Sequence, residues 1–138
     1  MNPVPEGWRQ IPQLSPFNAL VGPLYQRSAG EAFSIGLRIE EKHGNSRGIC
    51  HGGVLATLAD LALGYAMQSR LEGEKARGFV TVQLSVDYAG SARIGDWIES
   101  EVRIQRVGAR LAFVDCHLLA DGARIVRASA IFARSEKE

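Results

Sequence analysis

The chain has 138 residues, too few for two ordinary domains but enough to bury one hydrophobic core. With 46% hydrophobic and 22% charged residues it has the balance of a globular protein, and a formal net charge of +1 gives no sign of a nucleic-acid surface or of attraction to anionic membranes. The longest apolar run, Val54 to Met67, is interrupted by Thr57 and Asp60 and is too short to cross a bilayer, and the first residues lack the basic and apolar regions of a secretory signal.

Residues 1–28 are rich in Pro, Gly and isolated aromatics and read as an N-terminal extension to a single domain covering 29–138. Within the extension, Ser15 and Pro16 have the types expected at a helix cap and first turn, with Phe17, Leu20 and Val21 following and Gly22-Pro23 as the stop. Phe33, Ile35, Leu37 and Ile39 alternate with Ser34, Gly36, Arg38 and Glu40, which predicts a half-buried strand. Glu41 to Cys50 is a polar loop. From Gly52 to about Arg70 the apolar residues Leu55, Leu58, Ala59, Ala62, Ala66 and Met67 recur at helical spacing, and the other faces are small or apolar too, so this helix is expected to be buried on several sides.

Leu71 to Arg77 is a charged connection. Phe79 to Tyr88 then alternates, with Val80, Val82, Leu84 and Val86 expected on one face and Thr81, Gln83, Ser85 and Asp87 on the other. Trp97 to Val107, Leu111 to Ala120 and Arg124 to Arg134 are three further strands, with turn signals at Gly108-Ala109 and Asp121-Gly122. The order is strand, helix, then four strands joined by hairpin-like connections, an α+β pattern with an antiparallel sheet. One sheet covers only part of so apolar a helix, and a second subunit is the expected cover, with the N-terminal segment as the alternative.

Chemistry concentrates where loop meets helix, in Asn45-Ser46-Arg47-Gly48-Ile49-Cys50-His51-Gly52-Gly53. The helix start offers backbone N–H groups with no partner inside the helix, beside glycines that admit a ligand. Asp60 is the lone carboxylate of the helix, and burying a charge is costly unless it is paired or used. Cys50 and Cys116 are the only cysteines and have no metal or redox spacing, so two reduced thiols and a cytoplasmic protein are expected. A nucleophilic Cys50 beside His51 is the minor alternative.

This run, with Asn six residues before His and Asp nine after it, together with the element order, resembles the hotdog-fold acyl-CoA thioesterases of the phenylacetic acid degradation (PaaI-like) type. The likeness continues through Thr81-Val82-Gln83-Leu84-Ser85-Val86-Asp87-Tyr88 and Ala92-Arg93-Ile94-Gly95-Asp96 and covers roughly residues 30 to 134. It implies a curved antiparallel sheet wrapped around one long central helix, with the sequence order β-α-β-β-β-β. It also implies hydrolysis of an acyl- or aryl-CoA thioester to free acid and coenzyme A, with no metal or organic cofactor. Gly52 holds the position whose backbone N–H polarises the thioester carbonyl, and Asp60 that of the general base or attacking carboxylate.

Helix geometry adds a constraint of its own. Eight residues separate Gly52 from Asp60, about 12 Å of rise, so one thioester carbon cannot meet both within one chain. If both serve one reaction, Gly52 of one subunit meets Asp60 of another, and a twofold dimer does this twice. The expected assembly is a homo-oligomer, a dimer at least and a tetramer by preference.

For the remaining positions the resemblance implies several roles. Asn45 orients water or the sulfur leaving group, or else simply shapes a turn. His51 bonds substrate or fixes the loop. Thr81 places the nucleophilic water. Coenzyme A binding is implied for Gln83, for Tyr88, Ala89, Gly90, Ser91 and Arg93 after the strand, and for Arg106, Val107, Gly108 and Arg110 in the later turn, with Arg134 a weaker candidate. Arg93, Arg103, Arg106 and Arg110 are expected to share one region, suited to bidentate phosphate contacts. Gly53 and Gly64 read as packing glycines, and Tyr65, Met67 and Phe79 as acyl-pocket lining or core. The alternatives are a non-catalytic acyl-CoA-binding protein of the same fold and, ranked lower, a hydratase or dehydratase. No nucleic acid or membrane partner is expected.

Overall fold

A computed structural model describes residues 3–30, 32–71 and 78–135. Apart from Leu71, the charged connection at 72–77 lies outside the described residues. Strands β1 (Arg9–Gln10), β2 (Tyr25–Ala29), β3 (Ala32–Arg38), β4 (Phe79–Tyr88), β5 (Trp97–Val107), β6 (Leu111–Ala120) and β7 (Ala123–Arg134) form one sheet in the order β1-β2-β3-β5-β6-β7-β4. Every neighbouring pair is antiparallel. Helix α1 (Pro16–Val21) precedes β2, and the long helix α2 (Gly52–Arg70) joins β3 to β4. This is the hotdog arrangement.

The N-terminal segment adds two strands that precede the predicted order. Ser15 caps α1 by accepting the Asn18 N–H at 3.2 Å, with Pro16 in the first turn. Leu24 is fully buried, and the Trp8 ring packs edge-on against Trp97 with centres 5.3 Å apart. A Cβ on Gly36 would overlap the Trp97 ring, so the missing side chain is what allows Trp97 to lie across β3. The extension is thereby built into the sheet.

Leu55, Leu58, Ala59, Ala62, Leu63, Ala66 and Met67 form the buried stripe of α2. They belong to a core with Ile35 and Leu37 of β3, Ile98 of β5, Val114 and Leu118 of β6, and Val126, Ala130 and Phe132 of β7. The opposite stripe, with Ala56, Thr57, Asp60, Leu61 and Gly64, is only half-covered by this chain.

Two expectations about β4 are corrected. The strand does not pair with β5: residues 89–96 carry the chain away to β5, which sits between β3 and β6, and leave β4, among the described residues, as the open edge beside β7. Nor does β4 alternate throughout. A bulge between Thr81 and Gln83 sets Thr81 opposite Phe132 and Leu84 opposite Ala130, both on the core side. Thr81 and Leu84 are three residues apart and share a face only because the bulge inserts one residue. Val80 and Val82 are consequently exposed, at 50% and 58%.

Candidate active site

The loop before α2 is shaped by its own polar groups. Asn45 Oδ1 accepts the N–H of Arg47 at 2.8 Å and of Ile49 at 3.3 Å, an Asx-type turn that engages the oxygen of the amide. The loop docks on the turn after β4: Cys50 N–H donates to the Ala92 carbonyl at 2.8 Å, and Ile49 bridges to Arg93. From behind, His43 holds it. His43 is 2% exposed, its Nδ1 accepts the Glu40 N–H at 2.8 Å, and its Nε2 donates to the Val21 carbonyl at 2.6 Å. Its own carbonyl accepts the His51 N–H at 2.7 Å. Sequence reasoning passed over His43, because a lone His in a polar loop carries no spacing signal of burial.

His51 caps α2, its Nδ1 accepting the Gly53 N–H at 2.8 Å. Among the described residues no acceptor takes the Gly52 N–H, which stands at the positive end of a 19-residue helix. The Tyr88 hydroxyl donates to the Gly52 carbonyl at 2.7 Å, so the end of β4 is fastened to the helix start. Asn45, His51, Gly52 and Tyr88 therefore gather at one end of α2, with Ala89, Gly90, Ser91 and Arg93 in the adjoining turn. Ala89 and Gly90 donate to the Ile125 carbonyl at 2.9 and 3.0 Å, and Arg93 N–H donates to Asp96 Oδ2 at 2.8 Å.

Asp60 lies two turns along the helix. It is half-buried rather than enclosed, because the stripe that carries it is the one this chain leaves open. Thr81 Oγ1 donates to Asp60 Oδ1 at 2.8 Å, so the bulge brings together two predicted site residues. The helix rise keeps this pair about 12 Å from Gly52.

The expected arginine cluster is not formed within the chain. Arg106, Val107, Gly108 and Arg110 lie at the β5–β6 turn, where Arg134 donates its N–H to the Arg110 carbonyl at 2.8 Å and stacks 4.3 Å from the Phe79 ring centre. Arg93 is at the other end of β5, whose 11 residues put on the order of 30 Å between them. Arg103 pairs with Asp115 at 3.5 Å, on the sheet face turned away from α2. Gln83 is on that outer face too, paired in register with Ile131. Met67 is buried in the core and so does not line an open pocket.

Cys50 is excluded as a nucleophile. Burial pushes its thiol up to about 11, its Sγ–H donates to the His51 carbonyl at 3.6 Å, and the His51 ring faces Gly53 instead. Such a thiol carries almost no thiolate near neutral pH. Among the described residues no cluster of His, Cys, Asp and Glu could hold a metal, and no helix is long and apolar enough to cross a membrane.

Comparison with known proteins agrees with this geometry. The sequence pattern of the thioesterase superfamily matches residues 47–126, which include most of the loop and all of the helix that carry the motif. PA0474 of Pseudomonas aeruginosa, which bears a provisional esterase name, is 42% identical over 130 residues, covering 94% of this chain and 96% of that protein. Mouse acyl-coenzyme A thioesterase 13 is 32% identical over 91 residues, 66% of this chain and 63% of that one. Among solved structures, a point mutant of phenylacetic acid degradation protein PaaI from Thermus thermophilus shares the fold with a TM-score of 0.75 at 21% identity, over 87% of this chain and 99% of that one. The chain belongs to the thioesterase superfamily, has the hotdog fold with PaaI-like structural neighbours, and is a thioester hydrolase.

Proposed function

We propose that this chain hydrolyses acyl-CoA thioesters at sites shared between two copies, with Asp60 as general base. The observation that carries the reading is the Thr81–Asp60 hydrogen bond on the open stripe of α2. It occupies one carboxylate oxygen and leaves the other for a water. That water attacks the thioester carbonyl carbon and gives its proton to Asp60. The oxyanion that forms is held by the Gly52 N–H of the partner subunit, at a helix N-terminus that favours negative charge. The C–S bond then breaks, coenzyme A leaves as thiolate and takes up a proton, and the acyl group departs as the acid. Asn45, through its amide N–H₂, and His51 stand beside the leaving group.

The open edge of β4 supports the two-chain arrangement. A long unpaired strand edge invites another strand. Thr81, near one end of β4, touches Asp60, and Tyr88, at the other, touches Gly52. Antiparallel pairing of β4 with its copy about a central twofold axis exchanges the two ends. It sets Asp60 and Thr81 of one chain against Gly52 and Tyr88 of the partner subunit. The same exchange brings the Ala89–Arg93 turn of one chain toward Arg110 and Arg134 of the other, a basic cleft for the nucleotide of coenzyme A.

The acyl group extends along α2 past Asp60. Gly64 follows it by one turn on the same stripe, and a Cβ there would meet nothing within 4 Å. Glycine inside a helix costs about 1 kcal/mol relative to alanine. With no contact among the described residues requiring it, we assign the space to the acyl group.

The test is release of free thiol from a panel of acyl- and aryl-CoAs by the wild-type protein and by Asp60→Asn. A drop in kcat of at least about a hundredfold is expected. Equal rates remove Asp60 from the mechanism.

A further inference from the structure

We infer that Tyr88 is a positioning residue that holds His51 in a single tautomer, so that the ring presents an N–H at the helix start and not a lone pair. The inference rests on the thioesterase reading for its functional meaning, but its structural content stands apart from it.

Two hydrogen bonds carry it. The Tyr88 hydroxyl donates to the Gly52 carbonyl at 2.7 Å, and the Gly53 N–H donates to His51 Nδ1 at 2.8 Å. The Gly52 carbonyl and the Gly53 N–H are the two ends of one peptide group. A proton donated to the oxygen draws electron density through the amide and makes the N–H a stronger donor. Tyr88 thus strengthens the bond that His51 Nδ1 accepts, and it does so from a different element, the end of β4.

The consequence follows from imidazole chemistry. A neutral ring carries one proton, and a nitrogen that accepts a hydrogen bond is the one without it. With Nδ1 accepting from Gly53, the proton resides on Nε2. The ring is exposed, and its Nε2 has no partner among the described residues. Nε2–H is therefore a second donor at the start of α2, free to serve the thioester oxygen or the departing sulfur. The other tautomer would turn a lone pair toward the same developing negative charge. Tyr88 is placed for this work by packing as well. Its Cε1, Cζ and hydroxyl oxygen lie 3.4 Å from the point where a Cβ on Gly52 would stand, so the phenol end of the ring packs against the helix start.

The experiment is imidazole ¹⁵N NMR on labelled wild type and Tyr88→Phe, at a pH where imidazoles are neutral. Wild type is expected to show His51 as the Nε2–H tautomer, with a scalar coupling across the hydrogen bond from the Gly53 amide nitrogen to Nδ1. Tyr88→Phe is expected to show a mixture of tautomers and a weaker coupling. In thiol-release assays the same variant is expected to lose about tenfold in kcat with KM within about twofold, and to add no further loss in a His51→Asn background. An unchanged tautomer in Tyr88→Phe overturns the inference, as does absence of the coupling in wild type. So does a raised KM at constant kcat, which would make Tyr88 a plain coenzyme A contact. If wild type releases no thiol from any acyl-CoA, the proposed function fails, while the two spectroscopic outcomes still decide the role of Tyr88.

Discussion

Thr81 reaches across from the edge strand to the central helix and donates its hydroxyl proton to Asp60 at 2.8 Å. The carboxylate is thereby oriented by a group that is not itself charged. A hydrogen bond to an ionised group is worth about 1.5–3 kcal/mol, so its loss corresponds to roughly tenfold to a hundredfold in rate if the orientation is used in the transition state. Thr81→Ala is expected to lower kcat by that amount, and Thr81→Ser to recover most of it. Steady-state thiol release measures both. A serine variant as slow as the alanine variant would assign the effect to packing of the methyl group.

The two-chain site predicts complementation. Asp60→Asn and Gly52→Val each destroy one half of every site. In a hybrid dimer one site receives both damaged halves and the other receives neither. Random mixing makes half the dimers hybrids with one working site of two, so co-expressed variants should regain about a quarter of wild-type activity. Two inactive variants that stay inactive together, with hybrid dimers demonstrated by tag pull-down, would mean that both residues act within one chain.

Much of this arrangement was legible in the sequence. The helical spacing from Leu55 to Met67 and the alternation of the strands set the elements, because burial on one face imposes the period directly. The loop–helix motif was legible for the same local reason: caps, glycines and Asx turns act within a few residues. Features set by long-range packing were not. The bulge at Thr81–Gln83 changes the parity of β4 without any glycine or proline to mark it, so the alternation places Val80 and Val82 on one face with Leu84 and Val86, a grouping the fold breaks. The position of β4 beside β7 is a long-range choice that turn signals do not record. The separation of Arg93 from Arg106 follows from the length of β5, since residues at the two ends of one long strand are near in sequence and far apart in space.

His43 tests the support behind the site. It is buried, and one ring nitrogen serves Glu40 while the other serves Val21. His43→Leu fills similar space but leaves the part-buried Glu40 N–H and Val21 carbonyl without their side-chain partner, at about 0.5–1.5 kcal/mol each. Urea unfolding should show a lower midpoint with an unchanged slope. Stability within about 0.5 kcal/mol of wild type would show that water replaces both bonds.

The buried thiols predict an alkaline loss of stability. Burial pushes Cys50 to about 11 and Cys116 to about 12, the latter with help from the Asp115 charge. Both folded values lie above the ordinary thiol value of about 8.5–9 that the unfolded chain retains. Between these limits the unfolded state binds fewer protons, so the free energy of unfolding falls as pH rises. The contribution is intact below about pH 8 and declines from about pH 9 through 11 and 12. Urea midpoints at about pH 8 and about pH 10.5 should differ, and the difference should shrink in Cys116→Ala even though that variant starts lower. An equal difference in the variant would place the alkaline sensitivity elsewhere.

Gly64 offers a separable handle on substrate choice. A side chain there projects from the Asp60 stripe, one turn on, into space where no atom of the described residues comes within 4 Å of its Cβ. Four residues of helix rise place it about 6 Å from Asp60, the depth of a phenyl ring or a few methylenes beyond the thioester carbon. Gly64→Val should therefore spare acetyl-CoA while lowering kcat/KM for phenylacetyl- and octanoyl-CoA, by about tenfold or more. Replacing glycine in a helix also removes a conformational cost, so the variant should be no less stable unless the space belongs to the partner subunit. Sedimentation distinguishes the two cases. A dimer that persists with a shortened acyl profile locates the acyl pocket at Gly64, whereas dissociation with all substrates affected alike assigns the space to the packing of the two central helices.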